Sequence, residues 1–195
     1  MTHTDKNTLE KAPLDFDEIS GEERFRKYDV AVGKIASMMQ QEHGGLGTGE
    51  MADLRRISPE KPFTAALWRI LLDFDLDKSP QGVKLTDWER KWATLLMGMA
   101  VCNGLHVYEV PFGRALADSG WSELRFAQLM QATGKTLEIH LRRVAQFLAS
   151  KGQKANWAEV RKLLFYQEGE FAEDIRLSIS RHYYQAIYQS EHKQS

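Results

Sequence analysis

The sequence has few of the features that would place it in several common classes of protein. Its 195 residues include a single cysteine, Cys102, which excludes an internal disulfide and a cysteine-rich zinc site. The longest apolar stretch, 93–102, contains Gly98 and is much shorter than the ~20 residues of a membrane-spanning helix. Residues 1–12 lack the apolar run of a secretory signal. We therefore expect a cytoplasmic protein with no membrane partner.

The chain also has almost no net charge, but its charges are segregated along the sequence. The formal net charge is −1. Residues 1–50 carry six basic and ten acidic side chains, whereas residues 112–162 carry nine basic and four acidic ones, a net charge of +5. A surface with such an excess of positive charge can bind a polyanion even when the whole protein is nearly neutral.

Apolar residues recur with the 3.6-residue period of a helix in nine segments, and no segment alternates as a strand would. The first three segments cover about 22–42, 50–57 and 62–74, the fourth follows Thr86 as its predicted cap, and five more lie between 111 and 187. The apolar residues of the third segment lie on more than one face, which predicts burial on two sides. The predicted fold class is therefore all-α.

A break in the helical pattern near Pro80 and Gly82 predicts two small packed helical bundles joined by a linker. The predicted N-terminal bundle covers residues 21–77, a linker covers 78–86, and a C-terminal bundle with a basic face covers 87–190. An acidic N-terminal extension at 1–20, a candidate for disorder, precedes them, and a tail at 191–195 follows them.

Candidate motifs for catalysis and for metal binding do not have the context that their chemistry needs. The glycine-rich run 44–49 lacks the Lys-Ser/Thr pair of a phosphate-binding loop, and we interpret it as a flexible helix connection. The histidines form no HExxH motif, and Asp73, Asp75 and Asp77 lack the glycine and glutamate that complete a calcium loop. We expect no catalytic residue, no metal and no cofactor.

Two residue types could contact a nucleic acid. Four tryptophans fit a helical core better than a base-stacking surface, with Trp121 the best candidate for stacking: Trp88, Trp92, Trp121 and Trp157. Six arginines could bind phosphate through their rigid fork of donors: Arg55, Arg56, Arg114, Arg125, Arg142 and Arg143. Periodicity alone fits a polyanion-binding face and an ordinary solvated surface equally well.

Several motifs resemble the CasB family, the small subunit of the type I-E CRISPR Cascade surveillance complex. The most specific is 112–120, followed by Ser122 to Phe126 and the Leu-Arg-Arg-Val of 141–144. Met51 to Ser58 resembles the family's opening motif, and Tyr183-Tyr184 its ending. The resemblance covers about residues 24 to 188.

The resemblance implies an all-helical subunit of two bundles without a catalytic role. It implies that the chain supports the crRNA-containing complex, contacts its backbone and large subunits, and is present beside a second copy of itself. It also implies phosphate contacts to the displaced non-target DNA strand of the R-loop, made by Arg55 or Arg56, Arg114, Arg125, and Arg142 or Arg143. Such contacts need no base readout, because the guide reads the sequence by base pairing.

Another interpretation is a transcription regulator. Ala115 to Gln128 resembles a helix-turn-helix motif with its turn at 118–120. The alanines stand five and three residues before Gly120, whereas such motifs usually place one four residues before the turn glycine. A metal-dependent nuclease is a third possibility, disfavoured because no carboxylates cluster on one helix face.

Overall fold

A computed structural model describes the backbone of residues 21–40 and 45–192, and side chains from Arg26 onward. The predicted extension at 1–20, Gly44 of the glycine-rich run and residues 193–195 of the predicted tail lie outside the described residues. Nine helices occupy the described ranges: α1 Gly21–Gln40, α2 Thr48–Arg55, α3 Ala65–Asp73, α4 Leu85–Val101, α5 Phe112–Asp118, α6 Glu123–Gln131, α7 Gly134–Lys151, α8 Trp157–Phe165 and α9 Glu170–His192. The described part has no strand beyond two isolated bridges, which confirms the all-α fold class.

Helix α4 lies at the centre because its sequence from Trp92 to Val101 is apolar on nearly all sides. It packs against α2, α7 and α8, and Trp92, Leu95 and Leu96 are fully buried. Its Trp88 and Trp92 rings meet Phe165 of α8 edge-on, with centroids 4.9 and 5.2 Å away. A helix that is apolar all round is stable only when neighbours cover it, as they do here.

Helix α4 begins at Leu85, so the prediction that Thr86 caps it is wrong. Lys84 occupies the cap position, because its carbonyl accepts hydrogen bonds from the backbone N–H groups of Asp87 and Trp88 at 3.0 and 3.1 Å. The Trp88 indole N–H donates to the carbonyl of Leu76 at 2.7 Å, which fixes the connection between α3 and α4 against the core.

Helix α3 is buried on one side only, so the prediction of burial on two sides is wrong. Ala66, Leu67, Ile70 and Leu71 face the core, where α3 packs against α2. Trp68 is 39% exposed and Leu72 is 62% exposed, because no described element covers the outer face.

Helices α5 and α9 approach each other closely at Gly113. A Cβ atom at this position would lie 2.0 Å from the carbonyl oxygen of Ile179, so only glycine allows the observed spacing. At the start of α5, the Phe112 N–H donates to the Glu159 carboxylate at 2.7 Å, and burial raises the pKa of that carboxyl group. The position and direction of α5 are therefore fixed from two sides.

Buried apolar side chains from all nine helices form one continuous cluster. Within it, α2 and α3 pack towards α4, whereas α5 packs mainly against α9. This grouping is consistent with two bundles, and the boundaries 21–77, 78–86 and 87–190 stay a prediction. Within the described residues, no helix is both long and apolar enough to cross a membrane.

Candidate nucleic-acid interface

Two of the six predicted arginines meet in one groove between α6 and α7. The groove has a volume of about 430 Å³. Its lining side chains are Trp121, Arg125, Gln128, His140, Arg143, Gln146 and Phe147. None of these seven is a carboxylate, and the walls combine two guanidinium groups with two glutamine amides, one imidazole and two aromatic rings. We call this site the α6–α7 groove.

The groove owes its shape to the short connection that turns the chain from α5 into α6. Gly120 in this turn has a φ of +82°, a conformation that favours glycine. Trp121 follows and is buried, and its backbone N–H donates to the carbonyl of Leu116 at 2.9 Å. Helix α6 then buries Phe126 in a stack on Tyr183 of α9, with centroids 3.9 Å apart. Burying Phe126 leaves Arg125 exposed.

The spacing along α7 explains which of its residues reach the groove. Its core stripe consists of Leu137, Leu141, Val144 and Leu148, all buried. His140, Arg143 and Gln146 repeat every three residues beside this stripe and line the groove. On a helix, residues three apart lie on the same face.

Arg142 and Arg143 lie on different faces of α7. Arg142 is half-buried and lines a crevice of about 60 Å³ with Ser58, Arg90 and Glu138. Burial raises the pKa of the Glu138 carboxyl group. Of this pair, Arg143 is thus the arginine that the structure places in the α6–α7 groove.

Arg55 and Arg56 also differ in their surroundings. Arg55 donates from Nε to the carbonyl of Ala100 at 3.0 Å and from Nη2 to Oδ1 of Asn103 at 2.5 Å, so it joins α2 to the end of α4. The Arg56 side chain is 77% exposed and forms only a long ion pair of 3.6 Å with Asp53 among the described residues. Arg56 is therefore the member of this pair that is available to a ligand.

Arg114 projects from α5 into solvent. Its Nε lies 3.3 Å from Oδ2 of Asp118 one turn later, and the two side chains are 53% and 44% exposed. An exposed pair of this kind contributes at most about 1 kcal/mol, so a phosphate group can replace the carboxylate. Neither Arg114 nor Arg56 lines the α6–α7 groove.

The sequence of the chain matches the model of one protein family. The sequence model of CRISPR-associated protein Cse2 matches residues 50–184, more than half of the chain. The chain belongs to the Cse2 family. This confirms the predicted resemblance to CasB, and the match does not favour a helix-turn-helix regulator.

Two solved structures share the fold of this Cse2 family member. A chain from E. coli Cascade bound to a PAM-containing double-stranded DNA target has 18% sequence identity and a TM-score of 0.61, and the match covers 80% of this chain and 95% of that one. CasB from Thermobifida fusca has 18% identity and a TM-score of 0.63, with 80% and 97% covered. No curated protein sequence matches the chain.

One member of the basic segment has a structural role that the sequence did not reveal. Arg161 is 0% exposed and donates from Nε and Nη2 to Oδ1 of Asp29 at 3.0 and 2.8 Å. Its guanidinium also lies 5.7 Å from the centroid of Tyr28. Arg161 therefore joins α8 to α1 and contributes nothing to the basic surface.

Gln128, His140 and Gln146 also line the groove, and the sequence analysis did not predict them. A usable signal was present, because Gln128 follows Arg125 by three residues and His140 and Gln146 flank Arg143 by three. Trp88, Trp92 and Trp157, predicted for the core, are buried, and so is Trp121, the best candidate for base stacking. With only 5% of its surface exposed, Trp121 offers no platform for a stacked base.

Proposed function

We propose that this Cse2 family member is the non-catalytic small subunit of a type I-E CRISPR Cascade complex. In this role it supports the crRNA-guided assembly, contacts the backbone and large subunits and lies beside a second copy of itself. It also holds the displaced non-target DNA strand through phosphate contacts. Family membership supports the proposal, and so does the shared fold with a chain of E. coli Cascade bound to double-stranded DNA.

The observation that carries the strand-holding role is the composition of the α6–α7 groove. Arg125 and Arg143 come from different helices and line one groove that has no carboxylate in its walls. Another groove, between α4, α7 and the end of α8, provides the contrast, because it mixes basic and acidic groups: Asp87, Arg90, Lys91, Lys135, Glu138 and Glu168. A polyanion is attracted to the first groove and meets both signs of charge in the second.

Arg56 and Arg114 extend the proposed contact surface beyond the groove. Both are exposed, and both hold only long or exposed ion pairs that a phosphate can displace. Contacts of this type do not depend on base identity, which suits a protein whose complex reads sequence through its guide. Because exchange of strands in an R-loop is nearly balanced in free energy, a few such contacts can shift it.

The proposal predicts weak, sequence-independent binding of single-stranded DNA by the isolated full chain. Affinity should be similar for oligonucleotides of different sequence. The logarithm of the binding constant should fall with the logarithm of salt concentration by about 0.7 per phosphate engaged. Fluorescence anisotropy over a salt series measures both properties.

A transcription regulator would behave differently in the same assay. It would protect one palindromic duplex site and bind it tightly at physiological salt, and that result would overturn the proposal. Cleavage of DNA or RNA that is lost on mutating a carboxylate of this chain would overturn the non-catalytic part.

A further inference from the structure

Trp121 lines the α6–α7 groove and contacts both α7 and α9. Its ring meets Phe147 of α7 edge-on, with centroids 4.9 Å apart. Its backbone carbonyl accepts a hydrogen bond of 2.5 Å from the buried Tyr183 hydroxyl of α9. Contacts with two helices therefore fix both the backbone and the ring of this residue.

The Arg125 guanidinium lies over this fixed ring, with Cζ 5.4 Å from the ring centroid. This distance is within the ~6 Å over which a cation is attracted to an aromatic face. Among the described residues, neither Arg125 nor Arg143 forms an ion pair with a carboxylate. The indole is thus the group that holds Arg125 in place while its donors still face solvent.

An arginine side chain has many rotamers, and a phosphate that binds a free one must first restrict them. A guanidinium already held against a ring loses less freedom on binding, and its planar fork keeps its N–H donors in a fixed arrangement. The indole N–H of Trp121 has no hydrogen-bond partner among the described residues, so the ring acts here through its apolar and π surface.

We propose that Trp121 is a positioning residue for nucleic-acid binding. Its indole face holds the Arg125 guanidinium in the α6–α7 groove that Arg125 shares with Arg143, so that the two arginines bind the phosphodiester backbone of a single strand together. This inference rests on the proposed strand-holding function. Trp121 thus affects the affinity for single-stranded nucleic acid only through Arg125.

A double-mutant cycle with the full chain and a labelled oligo(dT) strand at low salt tests the inference. Trp121→Leu should weaken binding by about two- to fivefold, the range that an exposed cation–π contact represents. Trp121→Phe should retain part of the affinity, because a phenyl ring still offers a π face. In an Arg125→Ala background, Trp121→Leu should cause no further loss, whereas in an Arg143→Ala background it should still weaken binding.

Trp68→Leu is the matched control, because Trp68 is a partly exposed indole stacked on Phe63 that does not line the groove. It should leave affinity unchanged. Unfolding by urea shows whether each variant is folded. If Trp121→Leu does not fold, Trp121→Phe takes its place in the same double-mutant cycle. NMR of the Trp121→Phe protein should then show that the ring-current shift of the Arg125 side chain differs from that in the wild type.

The outcomes separate the inference from the proposed function. If Trp121→Leu weakens binding equally with and without Arg125, or has no effect while Arg125→Ala does, Trp121 is only a core residue and the inference is wrong. Where Trp121→Phe takes its place, an equal loss of affinity with and without Arg125, or an unchanged ring-current shift of Arg125, overturns the inference. If Arg125→Ala and Arg143→Ala both leave binding unchanged, the α6–α7 groove does not contact the strand. The observation that carries the strand-holding function is then wrong, and the inference fails with it.

Discussion

Arginines of one basic segment have opposite roles in two regions of the molecule. At the junction of α1 and α8, Arg161 is fully buried and paired with Asp29. In the α6–α7 groove, Arg125 and Arg143 are exposed and, among the described residues, have no carboxylate partner within 4.0 Å. The difference shows that a count of basic residues in a sequence overestimates the basic surface, since tertiary packing decides which charges reach it.

The energetics of the two regions differ accordingly. In the Arg161–Asp29 pair the guanidinium is fully buried and the carboxylate is partly exposed. Breaking the pair by removing the carboxylate is costly, because it leaves the guanidinium buried without compensation. An exposed arginine contributes little to the stability of the fold, and its charge is available to a ligand. Substitutions at the junction should therefore change stability, and substitutions in the groove should change binding.

The largest effect is expected at the junction. Asp29→Asn keeps the shape of the side chain but leaves Arg161 without a counter-charge, and it should lower the free energy of unfolding by about 3–5 kcal/mol. Urea unfolding followed by circular dichroism measures the change. Asp53→Asn, which breaks the exposed pair with Arg56, is the control and should cost less than about 1 kcal/mol. Equal effects of the two substitutions would contradict the contrast between buried and exposed pairs.

An intermediate effect is expected at Gly113, where helix packing rather than charge fixes the structure. Gly113→Ala places a methyl group against the carbonyl of Ile179 and should destabilise the protein by about 1–3 kcal/mol, the usual cost of overpacking. Gly49→Ala in α2 would meet no atom of the described residues within 4 Å and should be neutral or stabilise by up to about 1 kcal/mol. Thermal unfolding of both variants checks the difference. A Gly113→Ala protein as stable as the wild type would show that α5 and α9 can separate.

A smaller effect should distinguish Arg55 from Arg56. Arg55→Ala removes two hydrogen bonds to the end of α4 and should lower the free energy of unfolding by about 1 kcal/mol. Arg56→Ala should leave stability within about 0.5 kcal/mol of the wild type and weaken single-stranded DNA binding instead. The comparison requires both assays on both variants. The reverse pattern would place Arg55, and not Arg56, in the contact surface.

Much of the fold follows from the sequence, because periodicity and end signals are local. The predicted segment of about 50–57 corresponds to α2 at Thr48–Arg55, and the residues between Pro111 and Ser119 form α5. The burial of Cys102 was also predictable from its apolar neighbours, and that burial raises the pKa of its thiol to about 12. The first residue of a helix was harder to predict than its existence, since Lys84 and not Thr86 caps α4.

The candidate site was only partly predictable. The sequence predicted Arg125 and either Arg142 or Arg143. It did not predict that Arg125 and Arg143 share a groove with Gln128, His140 and Gln146, because α6 and α7 meet only through tertiary packing. The Asp29–Arg161 pair joins residues far apart in the sequence, which helical periodicity does not relate. The exposure of Trp68 likewise depends on which neighbours α3 has, and periodicity says nothing about neighbours.

The most direct test of the strand-holding role is protection of the displaced strand by an assembled complex that contains a quadruple variant. Arg56→Ala, Arg114→Ala, Arg125→Ala and Arg143→Ala together should leave the subunit folded and incorporated, because all four side chains are exposed. Each loss should weaken R-loop affinity by about 1 kcal/mol or less, with additivity expected between the distant sites. Nuclease sensitivity of the non-target strand should rise, and high salt should reduce the difference from the wild type. Unchanged protection in a fully incorporated quadruple variant would contradict the account and leave the subunit a scaffold role only.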